Sequence, residues 1–125
     1  MPGAVTANGG EPRLPIAVLG VVEGSPDSIE VEAVVDTGSD GELQLPPGIV
    51  GRLGHPYEGM TRGILADGSG DWFRYHTGRV VWHGVEREVV VIASDGDPLI
   101  GMALLGGSRL THDAAPNGAV RVEEL

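Results

Sequence analysis

Apolar residues recur along this chain in short runs, and several runs follow the period of two that β-strands show. The clearest case spans residues 29–35, where apolar side chains occupy every second position and Glu30 and Glu32 lie between them. Comparable runs occupy residues 14–22, 43–45, 63–66, 72–75, 79–82, 85–92, 110–113 and 119–125. This pattern predicts an all-β sandwich or barrel of short strands. At most one or two short helical turns are expected, at residues 48–53 and 102–105, and two glycines weaken the first of them.

Turn residues separate these runs and predict where the strands reverse. The stretch Asp67-Gly68-Ser69-Gly70 lies between two apolar runs, which predicts a β-hairpin with a glycine-containing tip. His83-Gly84 predicts a second hairpin, and Pro116-Asn117-Gly118 predicts a third.

The two ends of the chain differ in composition. Residues 1–12 are small and polar and are interrupted by glycine and proline, which predicts a disordered N-terminal arm. Residues 13–125 hold the apolar runs and are expected to form one domain with a modest core.

Composition excludes several classes of chemistry and partner. The net charge of −10 argues against nucleic acid as a partner, because phosphates require a basic face. The chain has no lysine, which rules out Schiff-base catalysis and the P-loop, and no cysteine, which rules out disulfides and thiol catalysis. The longest apolar run, about residues 16–22, is too short to cross a membrane, and residues 1–4 do not resemble a signal peptide. We therefore expect a soluble cytoplasmic protein.

The stretch with the clearest chemical content is Val34-Val35-Asp36-Thr37-Gly38-Ser39. An apolar strand that ends in this way brings a carboxylate out of the core at a tight turn. Gly38 permits backbone angles that orient its N–H toward the carboxylate, and the flanking hydroxyls can hydrogen-bond locally. The simpler interpretation is a glycine turn with Asp36 as a solvated residue.

This D-T-G-S sequence after an apolar strand resembles the active-site loop of the aspartic proteases, and in a short chain it resembles the retropepsin-like branch with its small bacterial members. Two further features follow in the order that this family has. A glycine-tipped hairpin stands where the family has its flap, and the triplet Leu99-Ile100-Gly101 stands where the family packs an apolar-apolar-glycine segment behind the catalytic loop. The flap residues by this resemblance are Ala66, Asp67, Gly68, Ser69 and Gly70.

The resemblance implies a retropepsin-like acid-protease barrel that is completed as a homodimer. Its catalytic residue would be Asp36, and since the chain carries one D-T-G, the second aspartate would come from a second copy. Thr37 would reach across the two-fold axis, and the Gly38 N–H would support the carboxylate. The implied substrate is a peptide or protein, hydrolysed by water without a cofactor. Residues 119–123 resemble the segment that builds the dimer sheet in retroviral members.

Some features of the sequence depart from the family or leave alternatives open. Ser39 replaces the alanine of retroviral enzymes, and its hydroxyl can hydrogen-bond the carboxylate and favour the ionised form. Asp67 puts an acid at a flap tip that is apolar in those enzymes. Trp72, Phe73 and Tyr75 are candidates for lining a substrate pocket and equally for the core.

No metal site is expected. The four histidines, including His55, are scattered without ligand spacing, which predicts surface or turn positions. Asp95-Gly96-Asp97 lacks the rest of a calcium loop and the D-T-G order of a second catalytic acid, so a solvated turn is expected. Two alternatives to a protease remain at this point: a non-catalytic peptide-binding or dimerisation module of the same fold, and an unrelated small β-barrel.

Overall fold

Strands dominate the computed structural model, which describes residues 1–64 and 68–125. The strands formed by these residues are β1 (Pro2–Val5), β2 (Pro12–Leu19), β3 (Ser28–Val35), β4 (Leu43–Leu45), β5 (Tyr57–Ile64), β6 (Gly70–Trp82), β7 (Val85–Ala93), β8 (Leu99–Ile100), β9 (Ser108–His112) and β10 (Ala119–Glu124). Two short helices accompany them in the described residues, α1 (Pro47–Leu53) and α2 (Met102–Leu105). The predicted all-β class is therefore confirmed.

The strands form one sheet in the order β5-β6-β7-β4-β8-β3-β2-β1-β10-β9. An additional pairing of β6 with β2, through Val18 and Val80, closes β2, β3, β8, β4, β7 and β6 into a six-stranded barrel. The β3–β8 and β4–β7 pairs are parallel, and β1, β10 and β9 extend the sheet beyond β2 by antiparallel pairing. The short strand β8 thus lies inside the barrel wall, between β3 and β4.

The barrel core is built by the alternation seen in the sequence. Along β3, Val31, Ala33 and Val35 are buried, whereas Glu30 and Glu32 are exposed. Each apolar side chain of this size contributes roughly 1.5–3 kcal/mol when it is fully buried. The residue that follows the last buried valine is Asp36, so the pattern that fixes the strand's inward face also fixes where the carboxylate leaves the core.

The disordered arm predicted for residues 1–12 is wrong. Strand β1 pairs with β10 on one side and with β2 on the other, and Val5 is buried. Residues 6–11 form a turn in which the Thr6 N–H donates to the Glu11 carbonyl at 3.0 Å. The composition of this segment does not predict the strand, because the strand forms by pairing with β10 at the far end of the chain as well as with the neighbouring β2.

The dimer role implied for residues 119–123 also needs correction. Strand β10 lies between β1 and β9, and both of its edges are hydrogen-bonded within the same chain. It therefore offers no free edge on which a partner's strand could pair.

The helices and the predicted hairpins differ from expectation mainly in length. Helix α1 forms despite its two glycines, because Val50 and Leu53 are buried against the barrel. Strand β6 joins the predicted runs at 72–75 and 79–82 into one strand of 13 residues. None of the helices within the described residues has the length and apolar character needed to cross a bilayer.

Candidate active site

Strand β8 holds the backbone on both sides of Asp36. The Val34 N–H donates to the Pro98 carbonyl at 2.8 Å, and the Asp36 N–H donates to the Ile100 carbonyl at 2.9 Å. Because β8 also pairs with β4, the entry and the exit of the Asp36 loop are fixed to the same central strand. The triplet Leu99-Ile100-Gly101 thus lies directly behind the loop.

The loop presents the Asp36 side chain in one arrangement. The Gly38 N–H donates to Asp36 Oδ1 at 2.8 Å, and the Ser39 N–H donates to the Asp36 carbonyl at 3.2 Å. The side chain is half-buried, and its second oxygen, Oδ2, has no hydrogen-bond partner among the described residues. One carboxylate oxygen is therefore held by the backbone, and the other is available to a water molecule or a second acid.

The rest of the loop is held by backbone donors around the start of α2. The Gly101 N–H donates to the Glu42 carbonyl at 3.0 Å, and the Met102 N–H donates to the Ser39 carbonyl at 2.8 Å. A Cβ at residue 101 would meet the Gly41 carbonyl oxygen and would lie 2.9 Å from Ser39 Oγ. Glycine is needed at position 101 because the two segments approach closely. The backbone conformation does not require it, since a φ of −106° is open to any residue.

The two hydroxyl residues of the loop differ in their contacts. Thr37 is exposed, and its hydroxyl makes no hydrogen bond within the described chain. Ser39 is half-buried, and its Oγ accepts from the Gly41 N–H at 3.4 Å. No hydrogen bond joins Ser39 to the Asp36 carboxylate in the part of the chain that the structure describes, so the expected stabilisation of the ionised form by Ser39 is not seen.

The hairpin expected to act as a flap is formed by β5 and β6, which pair up to Ile64 and Gly70. Ala66 and Asp67 lie outside the described residues. Gly68, Ser69 and Gly70 are exposed, and Gly68 has a φ of +85°, which favours glycine.

The three aromatic candidates for a substrate pocket do not come together. Phe73 lies over Gly63, where a Cβ would come within 2.8 Å of its ring, and Tyr75 lies over Gly59. Trp72 projects from the opposite face of the hairpin and is 62% exposed. Phe73 and Tyr75 therefore cover glycine positions of their own hairpin, and Trp72 alone is available to a ligand from the other side.

A cavity of about 490 Å³ lies between α1 and the first half of β6. Val50, His55, Arg74, His76 and Ala93 are among its lining residues, and none of its lining residues belongs to the loop at 36–41. This cavity could not be predicted from the sequence, because its walls come from segments that meet only when the barrel closes.

His55 lies in this wall and is 5% exposed, which corrects the expected surface or turn position. Its Nε2 is 3.0 Å from the Leu19 carbonyl and donates to it in the neutral ring, whereas Nδ1 is buried without a partner in the described chain. Burial lowers the pKa of His55, the hydrogen bond to Leu19 raises it, and the nearby His76 lowers it further, so that the pKa falls below its ordinary value.

Among the described residues, no three histidine, aspartate or glutamate side chains come together in a way that could hold a metal ion.

No protein-family model, curated protein or solved structure matches the chain.

Proposed function

We propose that this chain is a retropepsin-like aspartic endopeptidase that acts as a homodimer. The observation that carries the proposal is the Asp36 loop. A carboxylate stands at the end of a buried strand, one of its oxygens accepts from the Gly38 N–H at 2.8 Å, and its backbone is tied to β8. The Gly38 contact alone is a turn that solvated aspartates also form, so the proposal depends on its combination with the tie to β8 and with the D-T-G-S sequence.

The proposed chemistry requires two such carboxylates that share one proton. The ionised carboxylate takes a proton from water as the oxygen attacks the carbonyl carbon, and the protonated carboxyl donates to the carbonyl oxygen. Collapse of the tetrahedral intermediate then breaks the C–N bond. The carboxyl that took a proton from water gives it to the leaving nitrogen, and the other carboxylate takes back its proton from a hydroxyl of the diol as the new acid forms. Two carboxylates that are close enough to share a proton do not both ionise, because their negative charges repel, so one of them stays protonated.

The second carboxylate would come from the Asp36 of another copy, across a two-fold axis. Thr37 and Gly38 are exposed, and the Thr37 hydroxyl lacks a partner within the described chain. These properties suit a loop that meets its own copy. Since β10 has no free edge, we infer that the contact is built around this loop and not around the C-terminal strand.

A second candidate is a peptide-binding module of the same fold that does not hydrolyse its ligand. The pairing of β10 within the chain favours it, because retroviral members use the corresponding segment to hold their dimer. The two candidates differ in whether the Asp36 carboxylate is needed for turnover.

The deciding experiment is a peptide-library cleavage assay between about pH 3 and about pH 7, with and without pepstatin, on the wild type, Asp36→Asn and Asp95→Asn. We expect cleavage that is highest in mild acid, is blocked by pepstatin and is lost in Asp36→Asn. Asp95 is a suitable control because it is exposed and makes no ion pair in the described chain, whereas Asp97 pairs with Arg13 at 3.2 Å.

Melting temperatures of the three proteins show whether a loss of activity comes from unfolding. Full cleavage by Asp36→Asn, or loss of cleavage only in Asp95→Asn, would show that a different acid performs the reaction. Peptide binding without cleavage by the wild type would support the binding module.

A further inference from the structure

The β5–β6 hairpin has two faces of different chemistry. Direct cross-strand pairs place Tyr57 opposite His76, Met60 opposite Arg74, and Arg62 opposite Trp72. Residues that face each other across an antiparallel pair project to the same side of the sheet. We call the side formed by these six residues the arginine face.

The acidic residues of the described hairpin lie on the other side. Asp71 is paired with Gly63, one position out of phase with the arginines, and its Oδ1 accepts from the Trp72 N–H at 2.8 Å. Glu58 accepts from the Thr77 hydroxyl at 3.0 Å, and Thr77 projects opposite to His76. The basic side chains of the arginine face are Arg62, Arg74 and His76, and no carboxylate of the described hairpin lies on this face, on a chain whose net charge is −10.

Neither arginine of this face pairs with a carboxylate among the described residues. Arg13, Arg79 and Arg87 each form an ion pair elsewhere in the fold, whereas Arg62 and Arg74 form none with the described residues. The Arg74 guanidinium lies 5.8 Å from the centre of the Tyr57 ring, which limits its movement. Arg52, Arg109 and Arg121 likewise form no ion pair with the described residues, so Arg62 and Arg74 are set apart by their position together on one face of the hairpin.

Large apolar side chains are exposed beside these cations. Trp72 is 62% exposed and Met60 is 47% exposed, and each stands opposite an arginine. Arg74 and His76 also line the cavity against α1, so the face leads into a concave surface. Exposed tryptophan and arginine side chains beside a cavity belong to the residue types that contribute most to protein recognition.

We propose that the arginine face binds acidic peptide segments in which a carboxylate side chain is flanked by an apolar one. The guanidinium group of Arg74 or Arg62 would pair with the carboxylate in a two-point hydrogen-bonded contact, and the apolar neighbour would pack on Trp72 or Met60. The inference rests on the proposed function and deepens it, because it assigns the enzyme a substrate class of acidic, partly apolar peptides.

The test uses the full chain with Asp36→Asn, so that peptides bind without being cleaved. Fluorescent peptides that alternate glutamate with leucine are titrated beside matched peptides in which glutamine replaces glutamate, and dissociation constants are measured by anisotropy. We expect the acidic peptide to bind at least about fivefold more tightly than its amide counterpart, which is the scale of one exposed ion pair. Its binding should shift the emission of Trp72, since Trp82 is buried.

Three charge variants locate the contact. Arg74→Gln and Arg62→Gln should each weaken binding of the acidic peptide by about fivefold and leave the amide peptide unchanged. Arg121→Gln removes the same charge from β10, which is distant from β5 in the sheet order, and should have no effect. Equal binding of the two peptides, an equal loss in Arg121→Gln, or tighter binding of a single-stranded oligonucleotide than of the acidic peptide would overturn the proposal.

Cleavage by the wild type separates this inference from the proposed function. Hydrolysis of peptides without any preference for acidic side chains would leave the protease and remove the arginine face from its specificity. Selective binding of acidic peptides by a chain that cleaves none would leave the recognition surface and remove the protease.

Discussion

His55 is a titratable side chain that the fold encloses in its neutral form. Its Nε2 is satisfied by the Leu19 carbonyl, and its buried Nδ1 lies close to the backbone of Gly78. Protonation would place a second N–H on Nδ1, where no acceptor is present in the described chain. The charged ring would also stand near His76, so the folded protein disfavours it.

We expect the free energy of unfolding to fall as the solution is acidified through the ordinary histidine pKa of 6.5. The unfolded chain binds a proton at His55 before the folded chain does, so the stability contributed above 6.5 is lost as the pH drops toward the lowered pKa of the folded state. Urea unfolding at about pH 7.5 and about pH 5 measures this loss.

His55→Gln keeps a donor for the Leu19 carbonyl and removes the titration, so its stability should depend less on pH over this interval. His112→Gln is the control, since His112 is exposed. An identical pH dependence in the wild type and in His55→Gln would contradict the assignment.

Gly101→Ala tests the close approach behind the Asp36 loop. The added methyl group would meet the Gly41 carbonyl, so we expect a loss of about 1–3 kcal/mol in stability together with a displaced Asp36 loop and reduced cleavage. Gly51→Ala is the matched control, because position 51 lies inside α1 with no atom near an added Cβ, and alanine there should raise stability by about 0.5–1 kcal/mol. An unchanged melting temperature in Gly101→Ala would show that the loop does not need this close approach.

The structural position of a residue could be predicted where a local sequence pattern determines it, and could not be predicted where contacts with distant residues determine it. Asp36 follows a strand whose alternation is readable, and the donor that holds its carboxylate is two positions away. His55 is buried by Leu19, Gly78 and the β6 strand, none of which is close to it in the sequence. Its burial had no local signal.

At the scale of elements, the β5–β6 hairpin covers two of its own glycines with aromatic rings. Phe73 lies over Gly63, and the ring leaves no room for a Cβ at that position. We expect Gly63→Ala to destabilise the protein by about 1–3 kcal/mol, and we expect the cost to shrink when Phe73→Ala is combined with it. A double-mutant cycle from thermal unfolding measures the coupling.

Trp72→Ala provides the control for that cycle, because Trp72 projects from the opposite face and should show no coupling to Gly63→Ala. Additive effects of Gly63→Ala and Phe73→Ala would show that the ring does not rest on the glycine.

Element types were predictable where a hydrophobic period or a turn signal was present. Both hairpins around His83-Gly84 and Pro116-Asn117-Gly118 form, and so does the helical turn at Met102–Leu105. The strands that were missed are β1, β8 and most of β5. The four residues of β1 show no useful alternation and gain their structure from pairing with β10 and β2. Such pairing depends on the neighbouring strands of the sheet, so it cannot be predicted from the sequence of the segment alone.

At the scale of the whole molecule, activity is expected to depend on association of two chains. Sedimentation velocity should show a dimer, and the specific activity should fall on dilution as the dimer dissociates. Thr37→Glu places like charges on either side of the proposed axis and should raise the dimer dissociation constant by about tenfold or more.

Thr111→Glu adds the same charge to an exposed position of β9 and should leave the dimer unchanged. A strict monomer that cleaves peptides at every dilution would contradict the shared dyad.

The strand order of the closed barrel could not be predicted from the sequence pattern, although the all-β class could. Alternation predicts that strands have an inner face, but it does not tell which strand lies next to which. The single pair between Val18 and Val80 that closes the barrel, and the insertion of β8 parallel to β3 and antiparallel to β4, join segments far apart in the chain. The D-T-G-S loop could be recognised from its sequence, whereas the hydrogen bonds that tie it to β8 depend on this topology.

The parallel pairing of β3 with β8 has a consequence for the order of events during synthesis. The acceptor that fixes the Asp36 N–H is the carbonyl of Ile100, which is translated 64 residues later. A ribosome-bound chain that ends before β8 carries Asp36 on a loop that lacks its β8 contacts, so the loop can reach its full geometry only when most of the polypeptide has emerged. The proposed protease would therefore be unable to cut its neighbours on the same messenger RNA until each copy is nearly complete.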